Sequence, residues 1–384
     1  MKKFFIISVV VIVIAVVGGV LNRNSKVNTT AKLAEKLYVA VEGKGVVAVI
    51  DPLAQKVMKE IDLSSTHDGE VLMYMPHNIQ VAPDMKTVWV TANAVIPGQE
   101  HSHTFLAPQK AHAHGAEVPF DMVIVIDTLT DSIAGRISLA PEAHLAHISL
   151  TPDSALAYVT AQVEGAIYKL NAKTYLSEKR IPVAKGSEPH GLRVSPDGRT
   201  AYVAMLKGKA LGILDIATDT FAAIPLKGSV VQTGVTPDGR YVVASVYDTK
   251  SLAIIDLSVR KDSSINGGYS LMYVDLPTGT KGPIQMYSTP DSKYFYVADQ
   301  GYYYGQPEGN LVYKIDVANK SVTKEIKVGR APHGVVVSPD GKYVYVTNLL
   351  SNDVSVIDTL TDSEVARIPV GKEPNGVSYW KKQN

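Results

Sequence analysis

HGVVVSPDGKYVYVTNLLSNDVSVIDTLTDSEVARIPVG, residues 333–371, contains a complete four-strand unit. Val335–Val337 forms a β-branched run, and Ser338-Pro339-Asp340-Gly341 is turn chemistry. Tyr343–Asn348 is an aromatic and β-branched strand. A polar loop leads into VSVID at Asp358, and a Thr-Asp turn precedes the last strand. Outward from this unit the pattern recurs. The run ending in Asp or Asn appears as VAVID at Asp51, VIVID at Asp127, IYKLN at Asn171, LGILD at Asp215, LAIID at Asp256, VYKID at Asp316 and VSVID at Asp358. The Pro-Asp turn appears at Asp84, Asp153, Asp197, Asp238, Asp291 and Asp340, and is missing only ahead of the first unit. The period of roughly 41 to 44 residues in the shorter repeats is that of a four-stranded propeller blade. The tail PNGVSYW, ending at Trp380, reads as an inner strand with no blade of its own, so it is expected to complete the first blade and close the ring.

KYVYVTN, with HGVVVSPDG before it and NDVSVIDTLTDSEVARIPVG after it, resembles the YVTN family of seven-bladed β-propellers over roughly residues 37–380. That resemblance implies an all-β fold of four-stranded antiparallel blades. It is similar in architecture to surface-layer modules, to the nitrous oxide reductase propeller and to lactonase and lyase propellers. These share a scaffold and not a chemistry. The expected organisation is a signal-anchor or signal peptide at 1–21, a polar tether at 22–36 and the propeller at 37–384. The first of these follows from Lys2-Lys3 and the uncharged run Phe4–Leu21, long enough for a membrane-spanning helix. The domain is then expected outside the cytoplasm, periplasmic or at the cell surface, tied to the membrane through this segment or, if the segment is a cleaved signal, secreted.

Composition narrows the chemistry. With 38 Lys+Arg against 37 Asp+Glu the net charge is +1, which gives no footprint for nucleic acid. Cysteine is absent, which excludes disulfides, thiol nucleophiles and CxxCH haem attachment, and no phosphate-cradling nucleotide motif is present. Tryptophan occurs only at Trp89 and Trp380, against a quinone-type propeller.

Histidine is where the sequence stands out. The residue at the start of each inner strand is His77, His147, His190, Gln232, Gln285, His333 or Asn375, all amide or imidazole. In the blades of His77, His190, His333 and Asn375 it lies one step further from the turn than in the other three. Register alone would aim the two groups to opposite sides unless a bulge resets them. His144 lies beside this ring, and His101, His103, His112 and His114 fall in a long insertion, residues 95–120, which leaves blade 2 on the same face. The Tyr-rich insertion at 300–310 in blade 6 faces the same way and is expected to act as a lid. His77, His101, His103, His112, His114, His144, His147, His190 and His333 are therefore the candidate ligands of a metal, copper first and zinc second. Met73 and Met75 offer soft sulfur nearby, and Glu142, Glu188 and Glu373 are candidate outer partners. The expected function is an extracytoplasmic scaffold that binds a small ligand or protein at the loop face, with a histidine-lined metal site. The alternative is a metal-dependent propeller enzyme, either a copper redox protein or one of lactonase or lyase type.

Overall fold

The computed structural model describes residues 33–67, 70–95, 119–259 and 270–383. Seven four-stranded antiparallel sheets follow one another along the chain, and a short hairpin, Ser65–His67 with Glu70–Leu72, links the first to the second. Blades 2 to 7 each run in sequence order from the inside out, beginning at Tyr74–Val81, Leu145–Leu150, Pro189–Val194, Val230–Val235, Pro283–Ser288 and Pro332–Val337. Blade 1 takes its inner strand from the other end of the chain. Pro374–Lys381 pairs antiparallel with Glu35–Val41, with Val377 opposite Val39 and Tyr379 opposite Leu37. The seven inner strands contact each other in an unbroken circle, so no sheet edge is left at the join. The first strand starts at Glu35, inside the expected tether, because Lys381 and Trp380 extend far enough to pair with Glu35 and Lys36.

The core lies between blades, as β-branched and aromatic faces of adjacent sheets interlock. Leu37, Val39, Val354, Val356, Ile368 and Tyr379 join blade 7 to blade 1 across the closure. The repeated aspartates have the local role their position implies. Asp340 Oδ1 accepts the Ser338 hydroxyl at 2.7 Å and the Lys342 N–H at 3.1 Å, and Asp153 and Asp291 repeat this with Thr151 and Thr289. Asp51, Asp215 and Asp358 accept the N–H groups two and three residues on.

Among the described residues no helix is long and apolar enough to cross a membrane. The expected membrane-spanning or signal segment at 1–21 lies outside the described residues, as does the insertion over 96–118.

Candidate functional site

Each inner strand carries a bulge where its polar mouth residue sits. The pairing shifts register between Pro76 and Ile79, Leu145 and Ile148, Pro189 and Leu192, Val230 and Thr233, Pro283 and Met286, and Pro332 and Val335. In blade 1 the shift falls between the partners of Val41 and Val39. In every case two inner-strand residues oppose one residue of the next strand, and the mouth residue is one of those two. A bulge re-aims side chains at such a point. The one-step offset seen in the sequence is thus absorbed, and all seven residues, His77, His147, His190, Gln232, Gln285, His333 and Asn375, are buried together.

The bulges are stapled by hydroxyls. Thr160 Oγ1 accepts the His147 N–H at 2.9 Å and donates to the His190 carbonyl in the next blade at 2.6 Å. Thr91 and Thr347 do the same for blades 2 and 7, reaching Ala146 O and Asn375 O. Blades 4 and 7 place glycine after their histidine because the next blade is too close for a side chain. A β-carbon on Gly191 would lie 2.6 Å from Gln232 Cα, and one on Gly334 would lie 2.4 Å from Asn375 O. This is the physical content of the Pro-His-Gly step.

Of the nine histidines predicted as ligands, five come together. His77 is the hub, its ring centroid 5.8 Å from those of His144 and His190, 6.1 Å from His147 and 6.2 Å from His333. His147 and His190 are 4.9 Å apart. One ring nitrogen from each of His77, His147 and His190 lies within 4.8 Å of the other two, a spacing that can hold a metal ion. His101, His103, His112 and His114 lie outside the described residues. Met73 is 50% exposed.

Polar partners set the rings. His190 Nδ1 donates to Val231 O at 2.9 Å, which leaves Nε2 as an acceptor. His77 Nδ1 faces Glu42 Oε1 at 3.5 Å and Asn375 Nδ2 at 3.1 Å, and Asn375 Nδ2 also donates to Glu42 Oε2 at 2.5 Å. Gln232 Nε2 lies 3.4 Å from His147 Nδ1, while the Gln232 oxygen is held by the Thr233 N–H. Gln300 Nε2 lies 2.8 Å from His333 Nδ1. The Nε2 atoms of His77 and His147 are buried with no hydrogen-bond partner among the described residues. Burial, and then the other imidazoles, hold His147 well below the usual histidine range. Burial does the same to His190, with His77 adding to it, and lowers His144 to about 4. His144, His147 and His190 are thus neutral near pH 7, the protonation state a ligand or base requires.

Glu42 and Gln300 were missed by the sequence reading, although a signal existed. They stand two residues beyond the bulge partner on the second strand of each blade. The ring at that position is Glu42, Asn93, Gln162, Leu206, Tyr247, Gln300 and Leu349. Its polar members reach other inner strands or their lead-in turns: Asn93 bonds both polar atoms of Leu145, and Gln162 donates to Glu188. Its apolar members make one side of the mouth greasy. There a narrow pocket is lined by His190, His333, Gln285, Leu206, Tyr247 and Tyr303. It adjoins a wider cavity of about 210 Å³ between Leu206, Lys207, Ser229, Tyr247, Lys250 and Gln306, sharing Leu206 and Tyr247 with it. Tyr303, from the blade 6 insertion, packs edge-on against His333, and its carbonyl accepts the Tyr247 hydroxyl at 2.7 Å. Glu188 is ion-paired to Lys207.

Comparison with known proteins agrees with this architecture. The family model described as "Lactonase, 7-bladed beta-propeller" matches residues 156–367, more than half of the chain. Periplasmic gluconolactonase of Pseudomonas aeruginosa is similar at 16% identity and TM-score 0.65, over 90% of this chain and 99% of that one. Virginiamycin B lyase of Staphylococcus aureus, solved as a catalytically inactive histidine-to-alanine variant with quinupristin, is similar at 15% identity and TM-score 0.60, over 79% of this chain and 91% of that one. Kuenenia stuttgartiensis hydrazine synthase gives 20% identity and TM-score 0.58, over 79% of this chain and 89% of that one. At these identities the likeness is one of fold. A PE-PGRS family protein of Mycobacterium tuberculosis is 51% identical over 47 residues, which are 12% of this chain and 10% of that protein.

Proposed function

Because the chain belongs to the seven-bladed β-propeller lactonase family, we propose that its channel mouth opens a lactone or similar cyclic ester, with His77, His147 and His190 holding a divalent metal. The observation that carries this reading is the convergence of three buried imidazoles on one point. It places the enzyme reading ahead of the displayed scaffold expected first from the sequence.

The donor set fits such an ion. Three imidazole nitrogens are the donor pattern of catalytic zinc, which when bound would polarise a carbonyl and lower the pKa of its water. Zinc thereby replaces copper as first choice, because ring opening needs a Lewis acid rather than a redox couple. His190 is already in the required tautomer, fixed by the Val231 carbonyl. His77 has Glu42 at 3.5 Å behind its Nδ1, but the Asn375 amide nitrogen faces that atom at 3.1 Å and must give way before Glu42 can hold the Nδ1 proton in the manner of carboxylates that orient metal-bound histidine. His147 needs its Gln232 amide to turn over, so that an oxygen and not a nitrogen faces Nδ1. The apolar side of the mouth, Leu206, Tyr247 and Tyr303, seats the carbon ring, while His333, oriented by Gln300, lines the same pocket and can hand a proton to the leaving oxygen.

The test is turnover of a lactone panel, followed by acid release, by the metal-free and zinc-loaded chain beside His147→Ala. Zinc-dependent hydrolysis that His147→Ala abolishes is expected. Turnover that survives chelation but not His147→Ala would end the metal half and keep the imidazole base. Absence of turnover in every form would end the enzyme reading.

A further inference from the structure

We propose that the central channel holds a small monovalent anion, a carboxylate or halide, on Arg193. This residue stands on the inner strand of blade 4, three positions beyond His190. Its guanidinium lies over the ring of Tyr287, 5.6 Å from the centroid. Tyr287 belongs to the inner strand of blade 6, and blade 5 stands between the two, so the contact is made inside the ring of strands and not between neighbouring sheets.

Among the described residues no carboxylate pairs with this guanidinium and no hydrogen bond ties it down. Arginine remains charged at any ordinary pH, and a deeply placed charge without a counter-charge is costly. Burial already pulls its pKa down, with only Tyr287 opposing. Its positive field also reaches His147, where it adds to the forces keeping that ring neutral. Yet Arg193 retains accessible surface, and Tyr287 is 36% exposed. Groups this deep in the ring that still meet solvent face the channel.

A second donor lies nearby on the same strand as Tyr287. Gln285 Nε2 is buried with no hydrogen-bond partner among the described residues, two residues before Tyr287 and about 7 Å along the strand. A charged fork and an orphan amide N–H, each without an acceptor among the described residues, supply half of an anion site. A guanidinium stacked over an aromatic face keeps its N–H edge available for a carboxylate or halide. The buried carboxylates on the mouth side are already engaged, Glu42 of blade 1 with Asn375 and His77 and Asp299 of blade 6 with the Lys281 and Gly282 N–H groups. The inference depends on neither the metal nor the hydrolysis proposed above.

Thermal unfolding of the full chain is measured with rising sodium acetate, with sodium bromide, and with the sodium salt of a bulky sulfonate buffer that cannot enter the channel. A saturable rise of roughly 2–4 °C with acetate or bromide, and none with the sulfonate, is expected. The arm that saturates at lower concentration identifies the carboxylate or the halide. Arg193→Met keeps the stem over Tyr287 and should show no anion-dependent rise. Equal rises in both proteins, or none in the wild type, overturn the proposal. Should the variant fail to fold, bromide-soaked wild-type crystals decide: an anomalous peak within hydrogen-bond reach of the Arg193 guanidinium supports the site, and its absence refutes it.

Discussion

At the turn end of the inner strands, Asp153, Asp291 and Asp340 bond only within their own hairpins. At the mouth end, His77, His190 and His333 bond to residues of another blade, and His147 faces Gln232 two blades away. The same strands therefore carry two kinds of residue. One end holds a repeated device that serves each blade alone, so the same solution works in the six blades whose inner strand turns directly into the next. The other end gathers side chains from all seven blades into one environment, where repetition would be a liability. Seven histidines would crowd like-charging groups, and seven apolar residues would leave nothing to orient a ligand. Divergence at the mouth against uniformity at the turns is what a site built on a symmetric scaffold should show.

The sharpest way to break that comparison is to remove one residue from each end. His190→Ala is expected to reduce metal retention and lactone turnover by at least about 100-fold, with a moderate drop in thermal midpoint from the cavity and the unpaired Val231 carbonyl it leaves. If the midpoint collapses and the metal stays, the mouth is scaffold and the contrast fails.

Acid should separate the ends next. His147 and His190 are held well below the histidine value, and His144 falls from 6.5 to about 4. A lowered folded value means that the unfolded chain binds more protons, so this stability is intact above pH 6.5 and is lost as pH falls from 6.5 through 4. Each imidazole then contributes a slope of about 1.4 kcal/mol per pH unit. Asp121, raised by burial to about 6, runs the other way and offsets part of one imidazole, because its contribution declines as pH rises from 3.8 through 6. The turns belong to a lower window. Asp153 and Asp215 are lowered, by the Thr151 hydroxyl and the Thr218 N–H respectively, so their stability disappears only below 3.8. Denaturant midpoints measured from pH 8 to 3 should fall in two steps. His144→Gln should make the first shallower and leave the second alone.

A smaller effect probes how the mouth is held in place. Thr160→Val removes the hydroxyl that joins His147 N–H to His190 O, leaving both groups buried and unpaired. The expected cost is about 2 kcal/mol in denaturant unfolding. Turnover should fall too, since two cluster histidines hang on that staple. Unchanged turnover with lowered stability would show that the bulge keeps its shape without it.

The sequence carried the fold because each blade repeats its own instructions: Pro-Asp turns, β-branched runs and an orphan strand PNGVSYW that could close only on Glu35–Val41. The ring of imidazoles and amides was legible for the same reason, as one position read seven times. Its convergence was not, because a one-residue offset between His190 and Gln232 looks like opposite faces until bulges absorb it. Glu42 and Gln300 stayed hidden because their partners, Asn375 with His77 and His333, are set by contacts between blades, which no single repeat encodes. The threonine of the YVTN run is a similar case. Thr347 reads as an ordinary strand residue until its hydroxyl is seen bridging Gly334 N–H and Asn375 O.

The smallest expected effect completes the contrast. Asp340→Ala removes one acceptor from one turn, where Lys342 is exposed and water can replace its bond, while the Ser338 hydroxyl is buried and loses its acceptor. A cost of about 1 kcal/mol is expected, with metal retention and turnover unchanged, because the bonds of that carboxylate among the described residues stay within its own hairpin. Were Asp340→Ala instead to lower turnover at unchanged stability, the two ends of the blade 7 strand would be coupled along its length. Thr347, the residue bonded to both Gly334 and Asn375, would then be the place where that coupling enters the mouth.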